Sequence, residues 1–540
     1  MDLDDILPSV GEFGKYQKMV IWFILLPAVF PCGFHAYNQL FMATVPRHWC
    51  NISYLLNNTK SLGLGNISQY SDNLENCYIK NHTQSIPCED GWKYKDEIKN
   101  SVVSEWNLIC EKDFLVTLAL VLFGTSGLIG NYIFGYVQDG FGRKPAYYIY
   151  LLIGCIFGVA TAFAHNYVMW VIFRIGVGFT VPAILGTPYV LAIELVGPSD
   201  RTLVTILINI AYSVSLISLA IIVWAVRQWR VMALATTLPF LALFFSWPLL
   251  PESPRWLLAQ GNYEKAETIL QNMARVNKKQ VPKDLIANFR TQRTHQKINF
   301  KSKIRYGIKD LFRSKNLRWK TIIITFLWFT NTSVYVGLSY YAPTLGGDEY
   351  LNFFLAGAVE LPTYLFLWPA MERLGRRWTL CISMIIGGTS CLATFLVQND
   401  YVTTLALNQL FIGTRDPGLL SNYSMDGSTS FVVLPLMASE LYPTVVRGLG
   451  MSLSSVIGML GPIFIPLVNY LGSDILILPL IIMGTMLIMG GTSSLLLPET
   501  LNQHLPQTLQ DAEITPLDCF AFCNVPQKSE KHVSVFESKM

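Results

Sequence analysis

Acids, glycines and bases recur in this chain at repeated spacings, and the chemistry open to them is reversible ion pairing at helix ends. Asp139, Gly142 and Arg143 are echoed at identical offsets by Glu372, Gly375 and Arg376. Glu194 leading to Arg201 is echoed by Glu440 leading to Arg447, with the base seven positions after the acid in both. Glu252, set between Pro251 and Ser253 and followed by Arg255, is echoed by Glu499 between Pro498 and Thr500. Glu440 and Glu499 stand 246 and 247 residues after Glu194 and Glu252, so one unit is written twice. Such pairs can join two halves of a protein when one side is closed and part when it opens. Each exposed pair is worth about 0.2 to 1 kcal/mol, so only the network could bias two states. The expected gate residues are Asp139, Arg143, Glu194, Arg201, Glu252 and Arg255 in the first half, with Glu372, Arg376, Glu440, Arg447 and Glu499 in the second.

A second group lies inside apolar runs. Glu360 sits mid-run between 350 and 370. A carboxylate there is costly unless it faces a wet cavity or a partner, as counter-charge to a cation, as a proton carrier, or as a structural cap on the distortion at Pro362. Trp328 and Tyr335, seven residues apart, share one helical face. Aromatic faces attract cations by roughly 0.5 to 2 kcal/mol, although such residues also serve as packing and interfacial anchors. Arg174 reads as a helix-pairing residue rather than a coupling one. No HExxH, GxxxxGK[ST], CxxC or strand-turn-helix GxSxG is present, so enzymes and ATP-driven pumps lack their minimum parts. No cofactor, metal or nucleic-acid site is expected. The expected partners are a small organic solute and the lipid bilayer.

These residues need elements that cross a membrane. Hydrophobic residues make up 52% of the 540 and charged residues 14%, and mean hydropathy is +0.38. The apolar material comes in runs near the roughly 20 residues that span a bilayer. Twelve are predicted, at 18–41, 114–136, 146–164, 168–193, 203–225, 231–249, 320–342, 350–370, 378–397, 403–437, 449–471 and 476–497. The 251–320 stretch carries 17 Lys and Arg against five acids, which places it on the cytoplasmic side. The expected organisation is a cytoplasmic segment 1–17, a first six-helix half 18–249 containing an extracellular loop 42–112, a basic cytoplasmic loop 250–319, a second half 320–497 and a cytoplasmic tail 498–540. A membrane protein of two similar halves usually moves a solute between them. The 42–112 loop carries sequons at Asn51, Asn57, Asn66 and Asn81 together with Cys50, Cys77, Cys88 and Cys110. That reads as a glycosylated, disulfide-stapled cap with three pairings open.

Longer strings carry a resemblance. They are residues 10–18, PCEDGWKY at 87–94, SVVSEWNLIC at 101–110, PESPRWLL at 251–258, Trp328 to Thr330 leading to Tyr335, Val359 to Pro362, and ELYPTVVRG at 440–448. With these the chain resembles the organic cation, carnitine and organic anion transporter family of the major facilitator superfamily, especially its invertebrate organic-cation-transporter-like members. The resemblance implies an all-α, twelve-span fold of two pseudo-symmetric six-helix halves in the plasma membrane. It also implies alternating-access transport of small organic cations or zwitterions, as facilitator or exchanger. The implied substrate contacts are Tyr37, Asn38, Tyr189, Asn209, Tyr212, Trp328, Tyr335 and Glu360. The alternatives are an organic anion carrier of the same family, a transport-inactive member that acts by binding, and, disfavoured by the large outer loop, a sugar facilitator.

Three departures from the family pattern bear on function. Gly140 stands where an arginine is usual, so the first gate copy is expected to latch less firmly than the second. Pro182, Leu185 and Met459 occupy positions where family members place residues that discriminate substrate charge. Residues 413–430 form a polar, turn-rich insert with Pro417, Gly418 and Gly427, which predicts an interrupted or displaced tenth span or an extended outer loop.

Overall fold

The structure is a computed structural model. It describes residues 3–46, 48–51, 77–81, 84–88, 91–94, 100–197, 200–279, 307–341, 348–397, 417–443, 446–472, 478–501 and 506.

The apolar runs become helices because lipid offers the backbone no other hydrogen-bond partners. After a short amphipathic helix α1 (Leu3–Val10), α2 spans Lys15–Met42 and is wound as a π turn at Ile21–Leu25, just before Pro27. In the extramembrane loop that follows, α3 (Val102–Trp106) is capped by Ser101, whose hydroxyl accepts from Ser104 N at 3.1 Å. Then come α4 (Phe114–Phe141), α5 (Arg143–Ala162), α6 (Tyr167–Leu195), α7 (Arg201–Ala225) and α8 (Trp229–Ala235), the last continued by a 3-10 stretch at Leu238–Ser246. The link to the second half holds α9 (Pro254–Gln260), α10 (Tyr263–Val276) and α11 (Ile308–Leu311). The second half holds α12 (Lys315–Tyr341), α13 (Glu349–Arg373), α14 (Gly375–Val397), α15 (Pro417–Leu441), α16 (Arg447–Gly458), α17 (Gly461–Leu471) and α18 (Leu478–Ser494).

Among the described residues, nine helices are long and apolar enough to cross a membrane. On length and apolarity the twelve predicted runs are therefore not all met. The helices α14, α15 and α18 fall where the other three runs were expected.

Of the tenth run expected at 403–437, α15 is one helix from Pro417 to Leu441, so Pro417, Gly418 and Gly427 do not break it. Pro417 is its first residue, where a missing N–H leaves no helical bond unmade. A glycine inside a helix, as at Gly427, costs only about 1 kcal/mol. Residues 398–416, which include the first part of the expected run, lie outside the described set.

Two cores form, one mainly in each half. They meet along α7 against α13 and α4 against α17. Ile206 of α7 joins the second core, while Tyr340 and Phe353 join the first.

In the 42–112 loop, β1 (His48–Cys50) pairs antiparallel with β4 (Trp92–Tyr94), and β2 (Tyr78–Asn81) with β3 (Gln84–Pro87). Of the three open pairings the structure takes Cys50–Cys88 and Cys77–Cys110, with Cα separations of 5.3 and 5.7 Å. Asn51 follows β1 and Asn81 ends β2, whereas Asn57 and Asn66 lie outside the described residues. The loop docks on α8 through Glu105, which pairs with Arg230 at 2.5 Å and accepts from Trp229 Nε1 at 2.7 Å. At the opposite end, Asn277 after α10 accepts from Tyr16 N at 2.9 Å and donates to Val10 O at 3.0 Å, which fastens the amino-terminal segment to the linker helices.

Candidate substrate cavity and charged ends

Between the halves lies a cavity of about 190 Å³. Seven of its lining residues are aromatic: Tyr37 of α2, Phe123 of α4, Tyr212 of α7, Tyr335 and Tyr340 of α12, Tyr364 of α13 and Phe431 of α15. Asn209 and Thr332 add polar atoms, and no lining residue carries a formal charge. Towards the disulfide-bearing loop the halves are sealed by rings. Tyr37 meets Tyr340 and Phe353 at 6.0 and 5.6 Å, and Phe41 meets Tyr350 and Phe353 at 5.9 and 5.1 Å. On the same side the Tyr470 hydroxyl donates to Asp113 Oδ1 at 3.1 Å, joining α17 to the start of α4.

Glu360 of α13 is 3% exposed and stands just behind this wall. The Tyr335 hydroxyl donates to its Oε1 at 3.0 Å, and the Ser213 hydroxyl donates to its Oε2. A carboxylate held by hydroxyls next to an aromatic, uncharged cavity can attract a cation without leaving the wall.

Of the residues expected at the site, Tyr37, Asn209, Tyr212 and Tyr335 line the cavity and Glu360 adjoins it. Three do not line it. Asn38 is buried and donates to Thr236 Oγ1 at 3.1 Å. Tyr189 packs against the first-half core. Trp328 is packed against the second-half core, its backbone carbonyl close to Gly458. Pro182, Leu185 and Met459, noted for their departure from the family pattern, do line the cavity. Sequence reasoning missed Phe123, Tyr340, Tyr364 and Phe431, whose one signal was aromatic enrichment of the spans. Arg174 is buried, donating from Nε to Gln39 Oε1 at 2.9 Å and from Nη2 to His35 O at 3.1 Å, so it ties α6 to α2.

The repeated charged motifs build one device twice. Gly142 has φ +99° and Gly375 φ +83°, a conformation that favours glycine. A Cβ at Gly375 would meet the Glu499 carboxyl carbon at 2.6 Å, and one at Gly142 would meet that of Glu252 at 3.0 Å. Each glutamate accepts from the backbone at the start of the next helix: Arg143 N to Glu252 Oε1 at 2.9 Å, and Arg376 N to Glu499 Oε1 at 2.9 Å. Lys144 N and Arg377 N add bonds of 3.3 and 3.1 Å. A carboxylate at a helix N-terminus satisfies orphan donors and complements the dipole.

Two arginines of this end pair within their own halves. Arg143 grips Glu194 with Nε and Nη2, both at 3.0 Å, and reaches Asp139 at 3.3 Å. Arg376 Nε stands 3.5 Å from Glu440 Oε2. With Gly140 in place, the first copy's arginine makes the closer contacts within its half. Arg201 begins α7, Arg255 lies in α9, and Arg447 begins α16, donating from Nε to Tyr442 O at 3.3 Å. Glu372 and Arg376 of the second half and Asp200 and Thr202 of the first border a cavity of about 170 Å³ between the halves.

Comparison with known proteins places this geometry. The family described as sugar (and other) transporter matches residues 64–511. The β-alanine transporter of Drosophila melanogaster is 50% identical over 97% of this chain and 91% of its own length. The carcinine transporter of the same species is 40% identical over 95% of this chain and 79% of its own. The human organic cation/carnitine transporter 2 is 30% identical over 94% and 93%. The solved structure of the inward-open xylose transporter from E. coli shares the fold at a TM-score of 0.59 and 17% identity, covering 92% of this chain and 99% of that one. The chain therefore belongs to the sugar (and other) transporter family of the major facilitator superfamily, alongside the organic cation and carnitine transporters, and is a transporter rather than an enzyme.

Proposed function

We propose that this protein carries small organic cations or zwitterions, amine-like or carnitine-like, across the plasma membrane by alternating access. Tyr37, Asn209, Tyr212 and Tyr335 surround the solute and Glu360 is its counter-charge. The observation that carries this reading is the placement of Glu360, a buried carboxylate bonded to a cavity-lining tyrosine beside a wall with no charge of its own. The β-alanine and carcinine transporters among its relatives are named for amines of the size such a cavity takes. Both termini lie in the cytoplasm, an orientation supported by the basic 251–320 stretch. An anion carrier is disfavoured because the group bonded to the cavity-lining Tyr335 is a carboxylate. An inactive member is disfavoured by α15, which runs unbroken from Pro417 to Leu441 through most of the polar insert.

The test is uptake of labelled β-alanine, carcinine and tetraethylammonium by cells expressing the full chain. Glu360→Gln should lower uptake efficiency about 100-fold, equivalent to roughly 2.7 kcal/mol of lost stabilisation. Full uptake by that variant at normal surface expression would remove Glu360 from the site.

A further inference from the structure

Ser213 was not singled out by any sequence motif, yet its side chain touches the central carboxylate. It lies on α7 of the first half and is fully buried. Its hydroxyl donates to Glu360 Oε2 across the interface between the halves. Glu360 and Tyr335, which also donates to it, both belong to the second half, so that bond can travel with the carboxylate when the halves separate. The Ser213 bond cannot.

A serine hydroxyl carries a single proton. The Asn209 carbonyl, one turn back on the same helix, lies 3.2 Å from Ser213 Oγ and is a second acceptor for it. The proton can therefore serve Glu360 or its own helix, and neither choice leaves the buried hydroxyl without an acceptor. Asn209 itself borders the cavity.

We propose that Ser213 stands in for the substrate cation on Glu360 when the carrier is empty. An arriving cation takes over the carboxylate, and the hydroxyl turns to Asn209. With no such donor, the empty carrier would have to close around a less satisfied buried carboxylate, which is costly. Ser213 thus lets the empty carrier close and reorient, so the protein works as a net facilitator rather than an obligatory exchanger. This inference rests on Glu360 being the counter-charge.

The experiment compares entry of labelled β-alanine into solute-free proteoliposomes with entry into proteoliposomes preloaded with unlabelled β-alanine. In Ser213→Ala, entry into empty vesicles should fall about tenfold while exchange falls less than about twofold, as expected for loss of one hydrogen bond to a charged group. Ser213→Thr, which keeps the hydroxyl, should restore the wild-type ratio. An unchanged ratio of exchange to net entry in Ser213→Ala overturns the proposal, as does failure of threonine to restore it. If Ser213→Ala supports neither flux, β-alanine binding to the purified variant decides. Affinity rising severalfold, because no hydroxyl competes, supports the proposal, and equal or weaker affinity overturns it. Transport surviving Glu360→Gln defeats the underlying site assignment instead, so the two failures are distinct.

Discussion

The two charged ends of this transporter share a scaffold and differ in their ion pairs. At both, a left-handed glycine turns the chain and a distant glutamate holds the start of the next helix, with the first bond at 2.9 Å in each copy. At the first end Arg143 makes two 3.0 Å bonds to Glu194, while at the second Arg376 stands 3.5 Å from Glu440. The staple repeats because a helix start has fixed orphan donors whose geometry admits little variation. The arginine contact is made by a long side chain with many rotamers, so it can tighten or loosen without disturbing either helix. One repeated motif therefore holds a rigid part and an adjustable part.

Removing the staples should produce the largest effects and equal ones. Glu252→Ala and Glu499→Ala should each destabilise the purified protein by about 3 kcal/mol, since each loses its charge-assisted bonds to the two backbone N–H groups at the start of the next helix. Apparent melting temperatures that differ widely between the two would break the equivalence of the scaffold. Removing the arginines should give smaller and unequal effects. Arg143→Gln is expected to cost about 2 kcal/mol and Arg376→Gln about 1 kcal/mol, because a two-pronged, mostly buried pair loses more than a single long contact. A larger drop in melting temperature for the Arg376 variant would reverse the comparison. Restoring the arginine that the family pattern expects should do least. A side chain at Gly140 meets nothing within 4 Å, and Asp139 and Glu194 already have Arg143. Gly140→Arg should shift stability by less than about 0.5 kcal/mol, as surface charges do, and leave uptake unchanged. A clear gain would show that the first copy had been latching weakly after all.

Much of the architecture was legible because bilayer thickness and backbone hydrogen bonding leave few solutions. The apolar runs, the basic linker and the doubled motif all read directly from residue type and spacing. Trp328 and Tyr335 show where that reading stops. Seven residues put both on one face of α12, but at 1.5 Å per residue they sit about 10 Å apart along it. Periodicity fixes a face and says nothing of depth, so Tyr335 reached the cavity and Trp328 did not. The reading of Pro417 and Gly427 as helix breakers failed for another reason. Glycine and proline oppose a helix locally, yet Pro417 at a first position opposes nothing, and α15 forms around Gly427.

By itself the sequence determined that this is a membrane protein of two like halves, with a carboxylate buried in the second and a cysteine-bearing loop between the first two spans. Those features depend on composition, length and repeat, which belong to the linear chain. Tertiary structure decided which partners the charges take. It set Glu252 against a helix start 109 residues away, kept Arg143 and Arg376 within their own halves, and brought Ser213 to Glu360 across 147 residues. Hydrogen bonds and ion pairs act over a few ångströms, and only the packing of helices fixes which groups come that close.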